Sequence, residues 1–297
     1  METQEALRHQ LDSLGDLQSI VRTMKALSAS SIREYEQAVE ALRQYENTIE
    51  LGFAAALRDH SGWPTDIGIA DDGTDHGVAV IFGSDHGLCG RFNEQVAGHF
   101  VQRMVHRDAA TSDRPRILVV GVRLEPVLGA HGVEADEVLE LPATVEEIAA
   151  TVQAIVQRID RWQPTGPHRS VRVFHNRPGR QLQSRPTDQR LLPMALQRLQ
   201  RMGRREWPSP RLPRAFMAEP ALLSSLVREY LFVRLFRACA GSQTSEHASR
   251  LNAMQRAESN LHDRVESLTG RFRRLRQDAI TSELLDVVSG FEAVQSD

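Results

Sequence analysis

The chain has 297 residues, of which 41% are hydrophobic and 25% charged, a balance typical of a protein that is neither disordered nor membrane-embedded. Its formal net charge of −3 gives no electrostatic basis for nucleic-acid binding. Two cysteines, Cys89 and Cys239, are too few for a disulfide framework or a structural zinc site.

Proline placement divides the chain into three parts. All 13 prolines lie between Pro64 and Pro220, so both ends of the chain lack the residue that costs a helix interior about 3 kcal/mol. We therefore predict long helical segments over 1–63 and 214–297, with an inserted domain at 64–213.

Apolar residues recur every seven positions in both terminal segments. The N-terminal sets are Leu7, Leu14, Val21, Ser28, Tyr35, Leu42 and Ile49, and Leu11, Gln18, Lys25, Ile32, Val39, Glu46 and Phe53. The C-terminal sets are Met254, Leu261, Leu268 and Leu275, and Leu251, Glu258, Val265, Phe272 and Ala279. A sustained period of 3.5 is typical of helices wound around each other. The two ends are therefore predicted to form a long antiparallel coiled coil, whose polar interruptions set the register.

Short apolar runs alternate with helical stretches in the middle segment. The predicted strands are 78–82, 116–122, 138–141, 171–175 and 189–194, and the predicted helices are 92–107, 124–131 and 144–162. Thr144 is the predicted cap of the last of these helices, with Glu147 three residues later. The alternation predicts a small, mainly parallel α/β sheet. The fold class is therefore α/β, with a long coiled coil of the two terminal helices and an inserted α/β domain.

The glycine-rich turn at 83–90, GSDHGLCG, is not a nucleotide-binding loop. A phosphate-binding loop of the Walker type needs a lysine after its glycines, and Lys25 is the chain's only lysine. The turn also lacks the spacing of a dinucleotide-binding loop. We expect no nucleotide and no other cofactor on this chain.

The same turn carries chemically reactive side chains, namely Ser84, Asp85, His86 and Cys89. They could form a nucleophile–histidine pair or supply two metal ligands. The alternative is structural: Asp85 and Ser84 cap the following helix, while Gly87 and Gly90 allow tight turns. The histidine and the cysteine lack a third partner in sequence, so we favour the structural interpretation. We predict no catalytic residue and no metal site.

Three motifs resemble those of one family, the γ subunits of F-type ATP synthases. They are TMKALSASSIR at 23–33, GSDHGLCGRFN at 83–93, and the pair SEHASRLNAMQRAESN at 245–260 and RQDAITSELLDVVSG at 276–290. Their order on a helix–α/β–helix plan extends the resemblance over nearly the whole chain. Departures such as Gly15, Ser31 and Arg91 indicate a diverged branch, with the sodium-translocating type of ATPase as one candidate.

The resemblance implies a non-catalytic rotor. The coiled coil would enter a hexamer of α and β subunits, and the α/β insert and the lower coil would rest on the membrane c-ring. An ε subunit is a further implied partner. The residues that align with β-subunit contacts are Met24, Lys25, Arg276, Gln277, Thr281 and Glu283. The residues assigned to folding of the turn are Asp85, Gly87, Cys89, Gly90 and Asn93.

The N-terminus lacks the pattern of a secretory or transit peptide, and no stretch of 18 apolar residues exists. We therefore expect a peripheral protein on the cytoplasmic side of a bacterial membrane, held there only through partners. Two other interpretations stay open from the residues. One is a coiled-coil scaffold or tether, and the other is a small hydrolase that uses Cys89 and His86.

Overall fold

The computed structural model describes residues 3–58, 77–104, 114–162, 170–179, 184–211, 213, 216 and 218–295. The predicted boundary between residues 63 and 64, and the predicted helical residues 105–107, lie outside the described residues. Among the described helices, none combines the length and the apolar character needed to cross a membrane.

Helices and strands follow one another in the predicted order. They are α1 (Gln4–Leu57), β1 (Val78–Phe82), α2 (Phe92–Met104), β2 (Arg116–Val120), α3 (Glu125–Gly129), β3 (Glu137–Leu139), α4 (Ile148–Trp162), β4 (Val171–Pro178), β5 (Ser184–Leu192), α5 (Leu196–Gly203) and α6 (Glu219–Gln295). The chain forms two compact units. One consists of Met1–Ser28 and Leu251–Asp297, which we call the stalk unit, and the other of Ala29–Arg250, which we call the sheet unit.

The heptad positions form the buried face of both long helices. Every member of the two N-terminal sets is buried or half-buried, and so is every C-terminal member except Ala279. The polar members follow the same rule, since Ser28 is only 1% exposed. The predicted stripe is confirmed, because a period of 3.5 keeps one face of each helix turned to its partner.

Within the sheet unit, α1 and α6 run antiparallel. Tyr35 stacks on His247 with ring centroids 5.7 Å apart, and Glu46, one helical stretch later, pairs with Arg234 at 3.2 Å. Rising residue numbers on α1 therefore meet falling numbers on α6. This pairing joins the two ends of the chain, as the sequence predicts.

The sheet has the order β3-β2-β1-β4-β5. Strands β3, β2, β1 and β4 are parallel, and β5 runs antiparallel to β4 at one edge. Every residue of central β1 is buried, because helices cover both faces of the sheet. One face packs on α1, α4 and α6, and the other packs on α2 and α3.

Several predicted bounds in this domain needed correction. Strand β2 ends at Val120 rather than at Val122, β3 spans Glu137–Leu139 rather than 138–141, and α3 spans Glu125–Gly129 rather than 124–131. Helix α4 begins at Ile148 rather than at Thr144, because Glu147 accepts the N–H of Ala143 at 2.9 Å and residues 144–147 form a turn. Strands β4 and β5 are longer than predicted, and β5 starts at Ser184 rather than Gln189. Helix α5 was not predicted.

Candidate functional site

An ion pair lies inside the heptad seam of the stalk unit. The Lys25 ammonium donates to the Glu258 carboxylate, and Arg22 lies 3.9 Å from the same carboxylate. The hydrogen bond from Lys25, together with the charges of Lys25 and Arg22, holds the pKa of Glu258 below its usual value. The chain's only lysine therefore fills a polar gap in the seam with a partner from the other helix.

Charge reversal tests this pair. Lys25→Glu or Glu258→Lys alone is expected to lower the thermal unfolding midpoint of the full chain, because like charges would then face each other across the seam. The double variant restores an opposite-charge pair and should recover more than half of the loss. Calorimetry at low and high salt measures this, and the recovery should shrink at high salt. A double variant as unstable as the two losses combined would show that the pair does not form.

Helix α6 extends past the start of α1. Carrying the antiparallel register back from Lys25 and Glu258 places Gln4, the first residue of α1, level with Ala279. From there to residue 288 the described side chains of α6 are all exposed. They include large apolar side chains, namely Ile280, Leu284, Leu285, Val287 and Val288, which are 48–70% exposed. The heptad analysis missed this patch, because its apolar residues depart from the seam positions.

The predicted contact residues of α6 lie on and beside this exposed segment. Arg276, Gln277, Thr281 and Glu283 are all exposed. The Thr281 hydroxyl donates to the Gln277 carbonyl at 2.8 Å, a bond within the helix. The four residues therefore lie on neighbouring turns of α6, with Arg276 and Gln277 beside the start of α1 and Thr281 and Glu283 beyond it. The other two predicted contacts are half-buried in the stalk unit: Met24, and Lys25 with its bond to Glu258.

Asp85 joins the turn after β1 to two other loops of the sheet unit. Its carboxylate accepts the N–H of Val122 and the N–H of Leu141, both at 2.7 Å. These loops follow β2 and β3, so one side chain connects the carboxyl ends of three strands. The prediction that Asp85 caps the following helix is therefore wrong, whereas its assignment to the folding of the turn agrees with these bonds.

Asn93 closes the same turn from the first turn of α2. Its side-chain oxygen accepts the N–H of Ser84 at 3.1 Å, and its amide donates to the Ser84 hydroxyl at 2.9 Å. Gly90 has a φ of 63°, the left-handed region that favours glycine. Gly87 has no positive φ and lies in the bend at residues 85–87, so its place in a tight turn stays a prediction.

The geometry of Cys89 argues against a thiol nucleophile. Its sulfur lies 3.7 Å from the Ser84 hydroxyl and 3.8 Å from the backbone carbonyl of His86, with no bond to the imidazole. Burial raises the pKa of Cys89, although the Ser84 hydroxyl acts in the opposite direction. A nucleophilic cysteine needs a thiolate and a base beside it. The turn therefore lacks the arrangement that the hydrolase interpretation requires.

A buried ion pair on α6, between Glu246 and Arg250, is bonded to the turn after β1. Arg250 donates to the Glu246 carboxylate at 2.5 Å, to the Gly87 carbonyl at 3.2 Å and to the His86 carbonyl at 3.4 Å. Burial raises the pKa of Glu246 to about 7, while the Arg250 charge pulls it down. The sequence analysis did not assign a role to Glu246 or Arg250, although both lie in the motif at 245–260. No sequence pattern near them indicates that Arg250 contacts the turn after β1.

Among the described residues, no group of three His, Cys, Asp or Glu side chains is placed to hold a metal ion. The described residues form a stalk unit with an ion pair between Lys25 and Glu258 and an exposed end of α6. They also form a sheet unit in which Asp85 bonds to two other loops. Two long terminal helices with a five-stranded α/β sheet between them in sequence define a helical stalk protein with an inserted domain.

Comparison with known proteins identifies the family. A family model described as ATP synthase matches residues 3–294, and the chain therefore belongs to the ATP synthase family. It is 25% identical over 301 residues to the ATP synthase gamma chain of Bdellovibrio bacteriovorus, covering 99% of this chain and 100% of that relative. It is 27% identical over 297 residues to the ATP synthase gamma chain of Dinoroseobacter shibae, covering 97% and 98%.

Solved structures share the fold. A chain of the Euglena gracilis mitochondrial ATP synthase matches with a TM-score of 0.62 at 15% identity, covering 99% of this chain and 95% of that one. A chain from the central stalk and c-ring structure of the Tetrahymena thermophila enzyme matches with a TM-score of 0.52 at 17% identity, covering 80% and 99%. These chains thus share the fold, with two long helices and a sheet.

Proposed function

We propose that this chain is the central rotor stalk, a γ-type subunit, of an F-type ATP synthase. The observation that carries the proposal is the similarity to ATP synthase gamma chains over 97–99% of this chain. A family match confined to the sheet or to one helix would leave other roles open. A match over both helices and the sheet includes every part that a rotor needs.

In this role the chain couples rotation of the membrane ring to the catalytic head. Its partners are the α and β subunits, the ε subunit and the c-ring. A helix pair that meets each β subunit at a different angle has a different contact energy with open and closed catalytic sites. Rotation driven by ion flow therefore opens and closes the sites in turn, and ATP is made or hydrolysed there.

The chain itself supplies no group to phosphoryl transfer in this proposal. Support comes from the sequence, which has no lysine in a glycine-rich turn, and from Cys89, whose raised pKa keeps it protonated. The chain sits on the cytoplasmic side of a bacterial membrane as a peripheral subunit, held there by the ring and ε.

The free end of α6 makes the contacts with the head. Arg276, Gln277, Thr281 and Glu283 lie there with exposed polar side chains, and the apolar patch from Ile280 to Val288 requires cover from a partner. Met24 and Lys25 make a second contact with β, level with Glu258 and apart from the end of α6, and Lys25 reaches β with the 28% of its side chain that stays exposed.

Co-purification tests the rotor function. The tagged chain, expressed together with α, β and ε subunits from the same organism, is expected to be recovered with all three at fixed proportions. The complex should also show rotation of a bead fixed to this chain during ATP hydrolysis. A chain recovered alone, or as a coiled-coil complex without α and β, would favour a scaffold or tether instead. ATP binding by the purified chain in a fluorescence titration would contradict the proposal.

Arg276 offers the sharpest test of the head contact. Arg276→Ala is expected to slow rotation or assembly on the order of tenfold, because one charge-assisted hydrogen bond to β is lost. Nucleotide affinity of isolated β should not change. Arg273→Ala is the matched control, since it removes the same charge from an exposed position one turn earlier. Equal effects of both variants would indicate a general charge effect and not a specific contact.

A further inference from the structure

A cavity of about 490 Å³ lies within the sheet unit, and none of the six predicted β-subunit contact residues lines it. It opens between β4, β5, α1 and α6. Three arginines line it, Arg177 from β4 and Arg234 and Arg237 from α6, and we call it the arginine cavity. Its volume falls within the range of about 300–1,000 Å³ that is usual for small-molecule sites.

The charges around the arginine cavity do not balance. Glu46 accepts from Arg234 at 3.2 Å and also from Arg237, so one carboxylate serves two guanidinium groups. Glu36 is the acidic residue that lines the cavity itself. Among the described residues, three positive charges therefore face two negative ones. Arg177 makes no ion pair with any described carboxylate, and its side chain is exposed at the rim.

Two N–H groups at the cavity lack an acceptor. Arg177 donates from Nε to Nε2 of His175 at 3.4 Å, so the proton of the neutral ring resides on Nδ1. His175 is only 4% exposed, and burial lowers its pKa to about 3, which keeps the ring neutral. Neither His175 Nδ1 nor Arg234 Nε has a hydrogen-bond partner in the described structure. Both atoms are buried behind the cavity wall, and leaving buried donors unsatisfied is unfavourable, so an acceptor would relieve it only if either side chain shifted toward the cavity.

The cavity also has room for a ligand along α6. Gly241 lines it, and a Cβ placed on that glycine would meet no atom within 4 Å. Thr244, one turn further along α6, also lines the cavity, but its hydroxyl donates to the Ala240 carbonyl at 2.9 Å. An occupant would therefore meet open space and surplus positive charge together.

We propose that the arginine cavity binds a compact oxyanion, a phosphate or carboxylate group carried by a small soluble molecule. Such a group is acceptor-only and negatively charged, which matches the arginine lining and its surplus positive charge. Guanidinium groups present paired donors that suit the planar or tetrahedral oxygens of these anions. The site does not depend on the rotor function, since it lies wholly within the sheet unit.

Titration calorimetry of the full-length chain tests the proposal at constant ionic strength. Inorganic phosphate and malonate serve as separate probes, and the one that binds more tightly identifies the preferred oxyanion. We expect saturable 1:1 binding with a dissociation constant on the order of 0.1–1 mM for at least one probe. Absence of saturable binding for both probes at ten times that concentration would overturn the proposal.

Two variants locate the site. Arg177→Gln is expected to weaken binding about tenfold, because an exposed guanidinium at the rim is lost. Gly241→Leu fills the cavity without changing charge and should weaken binding at least tenfold. The matched controls are Arg201→Gln, at an exposed position of α5, and Gly98→Leu, a helical glycine that also has open space around its Cβ. Binding that is unchanged in both test variants, or weakened equally in the controls, would overturn the assignment. Circular dichroism confirms that each variant is folded.

Discussion

Leu268→Pro in α6 is expected to abolish coupling between ATP hydrolysis and ion transport, while hydrolysis by α and β continues in part. Leu268 is 8% exposed and occupies a heptad position of the stalk unit. Proline removes one helical hydrogen bond and clashes with the preceding turn, at a cost of about 3 kcal/mol or more. Loss of the buried leucine adds to this cost. A shaft kinked at this point cannot transmit torque from the ring to the head.

Membrane vesicles that carry the complex measure both activities, hydrolysis by phosphate release and transport by a pH- or ion-sensitive dye. Leu268→Ala is the control for packing, because it removes the apolar side chain and leaves the helix intact. It should keep most of the coupling. Glu266→Pro is the control for helix continuity, since Glu266 is exposed and outside the seam. It should uncouple as strongly as Leu268→Pro. Full ion transport by either proline variant would contradict a rigid shaft.

The long helices could be predicted from sequence because their signal is repeated many times. Each heptad contributes an independent apolar position. Proline is also absent from the whole of α1 and most of α6, which supports the same prediction. The polar members were recognised as interruptions, but their partners were not. Lys25 and Glu258 are 233 residues apart in sequence, and no local pattern indicates which residue on the other helix fills a gap.

The sheet was predicted less completely because its edge strands give weaker signals. Central β1 is buried on both faces and is a continuous apolar run, so its bounds were predicted correctly. Edge strand β5 is mostly half-exposed and contains Pro186, which an edge strand tolerates but a periodicity search rejects. Helix α5 has only eight residues and follows this strand directly, so its pattern was too short to recognise.

In the candidate site, residue types were predicted more reliably than their contacts. Asp85 was assigned to the turn, but its bonds to Val122 and Leu141 depend on loops 37 and 56 residues away. Its type is also that of a helix cap, which explains the wrong capping prediction. The exposed apolar end of α6 departs from the heptad, so a search for coiled-coil positions passes over it. Sequence alone therefore gives the elements, while the long-range contacts determine what each polar residue does.

Arg250→Met is expected to destabilise the sheet unit by about 3–5 kcal/mol at pH 8.5, because it leaves the Glu246 carboxylate buried without its partner. Both side chains are at most 6% exposed. The substitution also removes the hydrogen bonds that Arg250 donates to the backbone carbonyls of Gly87 and His86, so the turn after β1 loses its attachment to α6. Urea unfolding of the full chain, followed by circular dichroism, measures the loss.

The loss should depend on pH in a definite direction. Burial raises the pKa of Glu246 from 4.5 to about 7 in the folded chain, so this group contributes most to stability below pH 4.5 and its contribution is lost as pH rises to 7. Removing Arg250 takes away the positive charge that lowers the pKa of Glu246, so this pKa rises further in the variant. In the variant, the free energy of unfolding therefore continues to fall as the pH rises above 7. The penalty of Arg250→Met should therefore be smaller at pH 6 than at pH 8.5. Adding Glu246→Gln to the same variant removes the titrating group and should abolish this difference. A penalty that is equal at both pH values, or unchanged in the double variant, would show that the buried pair is not what stabilises the turn.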